Sequence, residues 1–195
     1  MPDGTITGFS DPVWFPDGNT LMVVGYYPDF VDPSMGTLEV NLNGEIQPDR
    51  GLGIGGRGAS HPTLDPSGDR LACFAYIHLW GTGLFVTHRG STDLPTLLAG
   101  DAREPAWSPD GSWIAFCSDR GDATFRVWVI AATGGTPVQV TEGRSPAWSP
   151  DGQSIAFARG AYFSSSQAWI ATDLPDWRLP VAPLSWSQVK DKYRR

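Results

Sequence analysis

Glu104-Pro105-Ala106-Trp107-Ser108-Pro109-Asp110-Gly111-Ser112-Trp113-Ile114-Ala115-Phe116-Cys117-Ser118-Asp119 is the stretch from which the fold can be read. Pro109 presets φ at the second position of a tight turn. Asp110 offers a carboxylate to the turn's N–H groups, and Gly111 supplies the positive φ that closes a short hairpin loop. Strands must flank such a turn. Ser145-Pro146-Ala147-Trp148-Ser149-Pro150-Asp151-Gly152, followed by Ile155-Ala156-Phe157-Ala158, repeats the stretch closely. Two looser copies lie upstream: Asp11-Pro12-Val13-Trp14-Phe15-Pro16-Asp17-Gly18, and His61-Pro62-Thr63-Leu64-Asp65-Pro66-Ser67-Gly68. The turn glycines Gly18, Gly68, Gly111 and Gly152 stand 50, 43 and 41 residues apart. Steps of this size mark propellers and solenoids.

Each repeat reads as four antiparallel strands, A to D. In the third repeat these are 105–108, 113–118, 125–131 and 138–141, with Asp119-Arg120-Gly121-Asp122 and Thr133-Gly134-Gly135-Thr136-Pro137 as the later turns. Ile114, Ala115, Phe116 and Cys117 are apolar on both faces of strand B, as in a sheet covered on both sides. Blades stacked in a ring meet that requirement better than a two-layer sandwich. The expected fold is therefore all-β: a β-propeller of four-stranded antiparallel blades. It has about four blades plus flanking strands, a partial ring or one completed by an oligomer. A single domain, 1–195, holds repeats at about 10–59, 60–102, 103–143 and 144–183, with 184–195 as a terminal strand A remnant and tail. Residues 5–9 read as an outer strand left from a preceding blade. The first repeat reads as the longest, with extra chain in its B–C loop (27–36) and in a glycine-rich D–A connection (51–59).

Composition narrows the partners. Twenty-three Gly and seventeen Pro punctuate many short strands, and nine Trp and nine Phe suit blade-to-blade packing. A formal net charge of −7, with no basic run beyond the tail 190–195, argues against nucleic acid. Cys73 and Cys117 form neither a disulfide framework nor a zinc set, so buried free thiols are expected. No run of eighteen apolar residues is present, so no transmembrane segment is expected. Met1-Pro2-Asp3-Gly4 lacks the basic and apolar regions of a signal peptide.

Trp-Ser-Pro-Asp-Gly followed by Ile-Ala-Phe, at 107–116 and 148–157, resembles the WD-like repeat of TolB-type β-propellers. The resemblance extends through Ser118-Asp119-Arg120-Gly121, Val127-Trp128-Val129, Thr133-Gly134-Gly135 and Val140-Thr141-Glu142-Gly143. It implies a periplasmic or secreted, protein-binding propeller, usually six-bladed. Relatives of this kind include the gating propellers of prolyl-oligopeptidase-like peptidases and the oligogalacturonate lyases. A substrate-gating piece of a peptidase, a degenerate polysaccharide lyase and a structural blade donor therefore stand as alternatives. The amino-terminal α/β domain of full TolB is absent from the sequence.

In a propeller, strand A lines the channel, and its start shares one face with the B–C and D–A loops. Asp11, His61, Glu104 and Ser145 each precede the strand-A proline, so they are expected to ring one channel mouth. His61, Asp11 and Glu104, with His78, could form a ligand or metal site, or a hydrated polar rim, and the ligand set lacks diagnostic metal spacing. No Gly-x-Ser-x-Gly elbow is present, and the turn aspartates Asp17, Asp110, Asp119 and Asp151 sit where Asp satisfies backbone donors. No catalytic residue, cofactor or metal is assigned. The periodic Trp14, Trp107, Trp148 and Trp186 read as packing residues. Aromatic residues outside the period, Tyr26, Tyr27, Phe30, Tyr162 and Phe163, together with Met35, mark a candidate surface for a protein or peptide. The expected function is noncatalytic binding across this mouth.

Overall fold

The computed structural model describes residues 8–27, 34–46, 57–77, 81–91, 93–160, 167–172 and 174. Its hairpins follow from the turn chemistry. In the third repeat the Gly111 N–H donates to the Ser108 carbonyl (2.9 Å), the Ser108 N–H donates to the Trp113 carbonyl (2.9 Å), and Gly111 takes φ 69°. The Ser108 hydroxyl donates to Asp110 Oδ1 (2.6 Å) and accepts from the Trp113 N–H (2.9 Å), while Asp110 Oδ1 also takes the Ser112 N–H (3.0 Å). The fourth repeat copies this set with Ser149 and Asp151. In the second repeat the carboxylate and hydroxyl exchange places. Ser67 Oγ donates to Asp65, whose Oδ1 accepts the N–H groups of Asp69 (3.0 Å) and Arg70 (2.9 Å). Either order satisfies the same donors.

Fourteen strands among the described residues form four antiparallel sheets. The first holds β1 (Gly8–Trp14), β2 (Thr20–Tyr27) and β3 (Ser34–Asn41), and the second β4 (Arg57–Leu64), β5 (Arg70–Ile77), β6 (Gly81–His88) and β7 (Thr96–Gly100). The third holds β8 (Arg103–Trp107), β9 (Trp113–Ser118), β10 (Arg126–Ala131) and β11 (Val138–Glu142), and the fourth β12 (Arg144–Trp148), β13 (Ile155–Arg159) and β14 (Gln167–Ala171).

The first repeat differs from expectation in four places. Gly8 and Phe9 pair with Tyr26 and Gly25, so they extend β1 rather than belong to a preceding blade. Tyr27 pairs with Ser34 and Tyr26 with Met35, which makes Tyr27 and Met35 strand residues and shortens the B–C loop. The strand expected at 38–42 thus begins four residues earlier: Ser34 and Gly36 are weak strand formers that hid its start, and pairing with β2 overrides them. The expected fourth strand of this repeat is a single bridge between Val40 and Ile46. Arg57 to Ala59, part of the expected glycine-rich connection, open β4. The expected fourth strand of the last repeat and the stretch 184–195 lie outside the described residues.

Three apolar layers join the four blades. Phe15 and Met22 pack with Leu71, Cys73 and Phe85. Ala72, Leu84 and Val86 face Ile114, Phe116 and Ile130. Ala115, Val127 and Val129 face Ile155, Phe157 and Ala171. Each inner blade thus buries both faces, and a side chain such as Phe116, fully buried, contributes on the order of 1.5–3 kcal/mol. The first strands β1, β4, β8 and β12 are successive neighbours along the inner side. There Trp107 Nε1 donates to the Thr63 carbonyl (3.1 Å) and Trp148 Nε1 to the Ala106 carbonyl (3.2 Å), each reaching the preceding blade. Trp14, the same residue in the first blade, is 55% exposed.

The end of the stack carrying the Pro-Asp-Gly turns is stitched by arginines. Arg70 pairs with Asp65 (3.0 Å), lies over the Trp107 ring (4.5 Å) and donates from Nη2 to the Gly111 carbonyl (2.7 Å) in the next blade. Arg89 grips buried Glu39 of the first blade with two bonds (2.8 and 2.6 Å) and lies over Phe15 (4.3 Å).

Candidate ligand face at the channel mouth

Every first strand begins with a bulge. Between Ser10↔Val24 and Val13↔Met22, two residues on β1 oppose one on β2, and the same excess recurs at residues 61–62, 104–105 and 145–146. The second residue of each bulge is proline, which has no N–H to offer a ladder at that point. The first takes a left-handed conformation: φ is 50° at Asp11, 51° at His61, 52° at Glu104 and 49° at Ser145. The four residues expected to ring the mouth therefore occupy one repeated backbone state, uncommon for residues with a side chain.

Two of these residues fasten the bulge of the blade that follows. Asp11 Oδ2 accepts the His61 N–H (3.2 Å). Glu104 Oε2 accepts the Ser145 N–H (2.8 Å), the Ser145 hydroxyl (3.0 Å) and the Cys117 thiol (3.2 Å). Burial alone would raise the Glu104 carboxyl, but the bonds from Cys117 and Ser145, aided by the charge of His61, hold it below the ordinary glutamate value. Burial first, and then the Glu104 carboxylate, push the Cys117 thiol up to about 12. Cys73 reaches about 12 through burial alone, and both cysteines are free. His61 is exposed, with Nδ1 3.2 Å from Ser60 Oγ. Among the described residues, no three His, Cys, Asp or Glu side chains gather closely enough to hold a metal ion.

Of the expected aromatic surface, Tyr27 and Met35 are placed by their backbones at the mouth end of β2 and β3, and their side chains lie outside the described ones. Phe30, Tyr162, Phe163 and His78 lie outside the described residues.

The mouth holds a second feature that the sequence reading passed over. Between the third and fourth blades a cavity of about 250 Å³ is lined by Phe125, Glu142, Gly143, Arg144, Arg159 and Gly160, among others. The D–A connection can run across its floor because residue 143 is glycine. A Cβ there would stand 2.5 Å from Phe157 and 2.9 Å from the Ala158 carbonyl, and φ is 147°. Arg144 donates to the Gly160 carbonyl. Arg159 donates from Nη2 to Thr141 Oγ1 (3.1 Å) and lies 5.2 Å from the Trp169 ring centroid. The signal was the repeated arginine two residues before the strand-A proline, in Arg103-Glu104-Pro105 and Arg144-Ser145-Pro146.

Comparison with solved structures decides the architecture. A candidate TolB of Agrobacterium tumefaciens superposes with a TM-score of 0.68 at 19% identity, over 85% of this chain and 58% of that one. The fold is a TolB-type β-propeller. The same propeller architecture occurs in the acylaminoacyl peptidase of Pyrococcus horikoshii (TM-score 0.60, 18% identity, 85% of this chain and 31% of that one). It also occurs in an oligogalacturonate lyase in complex with manganese (0.62, 14%, 84% and 51%). The present propeller thus spans between about a third and three fifths of these neighbours' lengths. No family model and no curated protein matches the sequence. At such identities the likeness extends to the fold, and function has to be argued from the propeller's own surface.

The two ends of this TolB-type propeller differ in chemistry. At the turn end, carboxylates and hydroxyls are consumed by the turns themselves or by Arg70 and Arg89. At the mouth end, Asp11 and Glu104 are spent on neighbouring blades, whereas the cavity between the third and fourth blades presents guanidinium groups beside an aromatic ring.

Proposed function

We propose that this chain is a noncatalytic propeller that binds a protein or peptide across its mouth face. The observation that carries the reading is the cavity at the mouth of the junction between the third and fourth blades. It opens on the end where the blades are joined by variable loops, whereas the opposite end is closed by short turns satisfied from within. Likeness to TolB propellers supports the same reading, since the resemblance implies a protein-binding role. Tyr27, Phe30, Met35, Tyr162 and Phe163 would extend the surface, with Asp11, His61 and Glu104 at the channel rim. Exposed aromatics supply much of the affinity at such surfaces.

The test is selection of peptides from a random library on the whole chain, with affinities measured by calorimetry. Selected peptides should lose at least about tenfold in affinity, about 1.4 kcal/mol, on the triple substitution Tyr27→Ala, Phe30→Ala, Tyr162→Ala. Substitution of exposed Asn43, at the turn end, should leave binding unchanged. Peptides that bind the triple variant as well as the parent would remove the mouth as the binding face.

A further inference from the structure

We propose that the cavity between the third and fourth blades is a subsite for a peptide carboxylate with an apolar neighbour. This deepens the reading above and rests on it. The argument begins with what the described arginines touch. Arg70, Arg89 and Arg126 are each matched by a carboxylate, of Asp65, Glu39 and Asp122. Arg159 is not. Its hydrogen bonds go to neutral oxygens, Thr141 Oγ1 (3.1 Å) and more weakly the Glu142 carbonyl (3.4 Å), and among the described residues it forms no ion pair. Those bonds use Nη2 and Nε and fix the plane of the guanidinium, which also lies against the rings of Phe157 (5.8 Å) and Trp169 (5.2 Å). A guanidinium held by neutral acceptors keeps its charge for a ligand, and its Nη1 edge suits a carboxylate oxygen.

The rest of the lining selects a peptide rather than a bare anion. Arg144 stands on the same wall, positioned by the Gly160 carbonyl. Phe125 adds an apolar residue to the lining, with Arg103 5.8 Å from its ring centroid. Glu142 lines the cavity too, so its negative charge disfavours a free inorganic anion, while its oxygens are acceptors that suit a peptide N–H. At about 250 Å³ the cavity is smaller than the roughly 300–1,000 Å³ of small-molecule sites. It suits one residue of a longer ligand. A C-terminal carboxylate and an Asp or Glu side chain share this chemistry.

Three N-terminally fluorescein-labelled peptides distinguish the outcomes by anisotropy on the full chain: Gly-Gly-Ala-Leu with a free C-terminus, the same peptide amidated, and amidated Gly-Gly-Asp-Leu. The free acid should bind at least about tenfold more tightly than its amide, the margin of one charge-assisted pair, and added salt should shrink the margin. Arg159→Gln should abolish that preference, and Arg159→Lys should retain part of it. Recovery of affinity by the amidated Asp peptide would assign the subsite to acidic side chains, and its failure to chain termini. Equal binding of all three peptides by the parent chain overturns the subsite while leaving mouth-face binding standing, as does a preference that survives Arg159→Gln. If the library selection also yields no peptide, the broader reading falls with it.

Discussion

Oε2 of Glu104 accepts three donors at once, and two of them belong to the next blade. This makes one carboxylate a fastener between blades. Its folded pKa lies below the ordinary value of 4.5, so its stabilisation is complete above that value and is lost as pH falls through the folded pKa. Glu104→Gln should cost about 1 kcal/mol at pH 7, allowing for partial solvent screening, and the gap to the parent should close as pH falls through the folded pKa. Urea titrations at several pH values read this directly. The thiols give a second check. Pushed up to about 12, Cys73 and Cys117 should resist a disulfide-exchange reagent at pH 8 in the folded chain and react fully after denaturation. Positions such as Glu104 were legible in the sequence because an acid before a repeated proline stands out. Their role was not, because the partner at Ser145 lies 41 residues away.

At the scale of elements, the hairpins were the most legible part. Pro109, Asp110 and Gly111 specify their turn by local chemistry, and the strands of the third repeat lie close to where the turn spacing put them. The bulges were hidden. A residue before proline is normally biased to extended backbone, yet four such residues take positive φ because the strand must shed one ladder position there. The start of β3 was obscured by its own weak strand formers, and the arginine links were invisible because Arg89 and Glu39 are 50 residues apart. The junction between β11 and β12 provides the test at this scale. Gly143→Ala forces a Cβ toward Phe157 and the Ala158 carbonyl in a backbone state unfavourable to alanine. A loss of about 1–3 kcal/mol is expected by chemical denaturation, larger than for Gly44→Ala, where the space is open.

Across the whole molecule, equivalent positions have unequal surroundings. Val129, opposite Ala115 in the third blade, is fully buried against the fourth; Ile170, opposite Ala156 in the fourth blade, is 65% exposed. Val129→Asp should therefore cost about 4 kcal/mol or more, whereas Ile170→Asp should change stability by less than about 1 kcal/mol in thermal unfolding. The bonds linking successive bulges and inner strands share a direction. His61 donates back to Asp11, Trp107 to Thr63, Ser145 to Glu104 and Trp148 to Ala106. The acceptor is always on the earlier segment. On a translating ribosome each of these acceptors emerges before its donor has been synthesised, whereas at the turn end Arg70 emerges before the Gly111 carbonyl that it will hold.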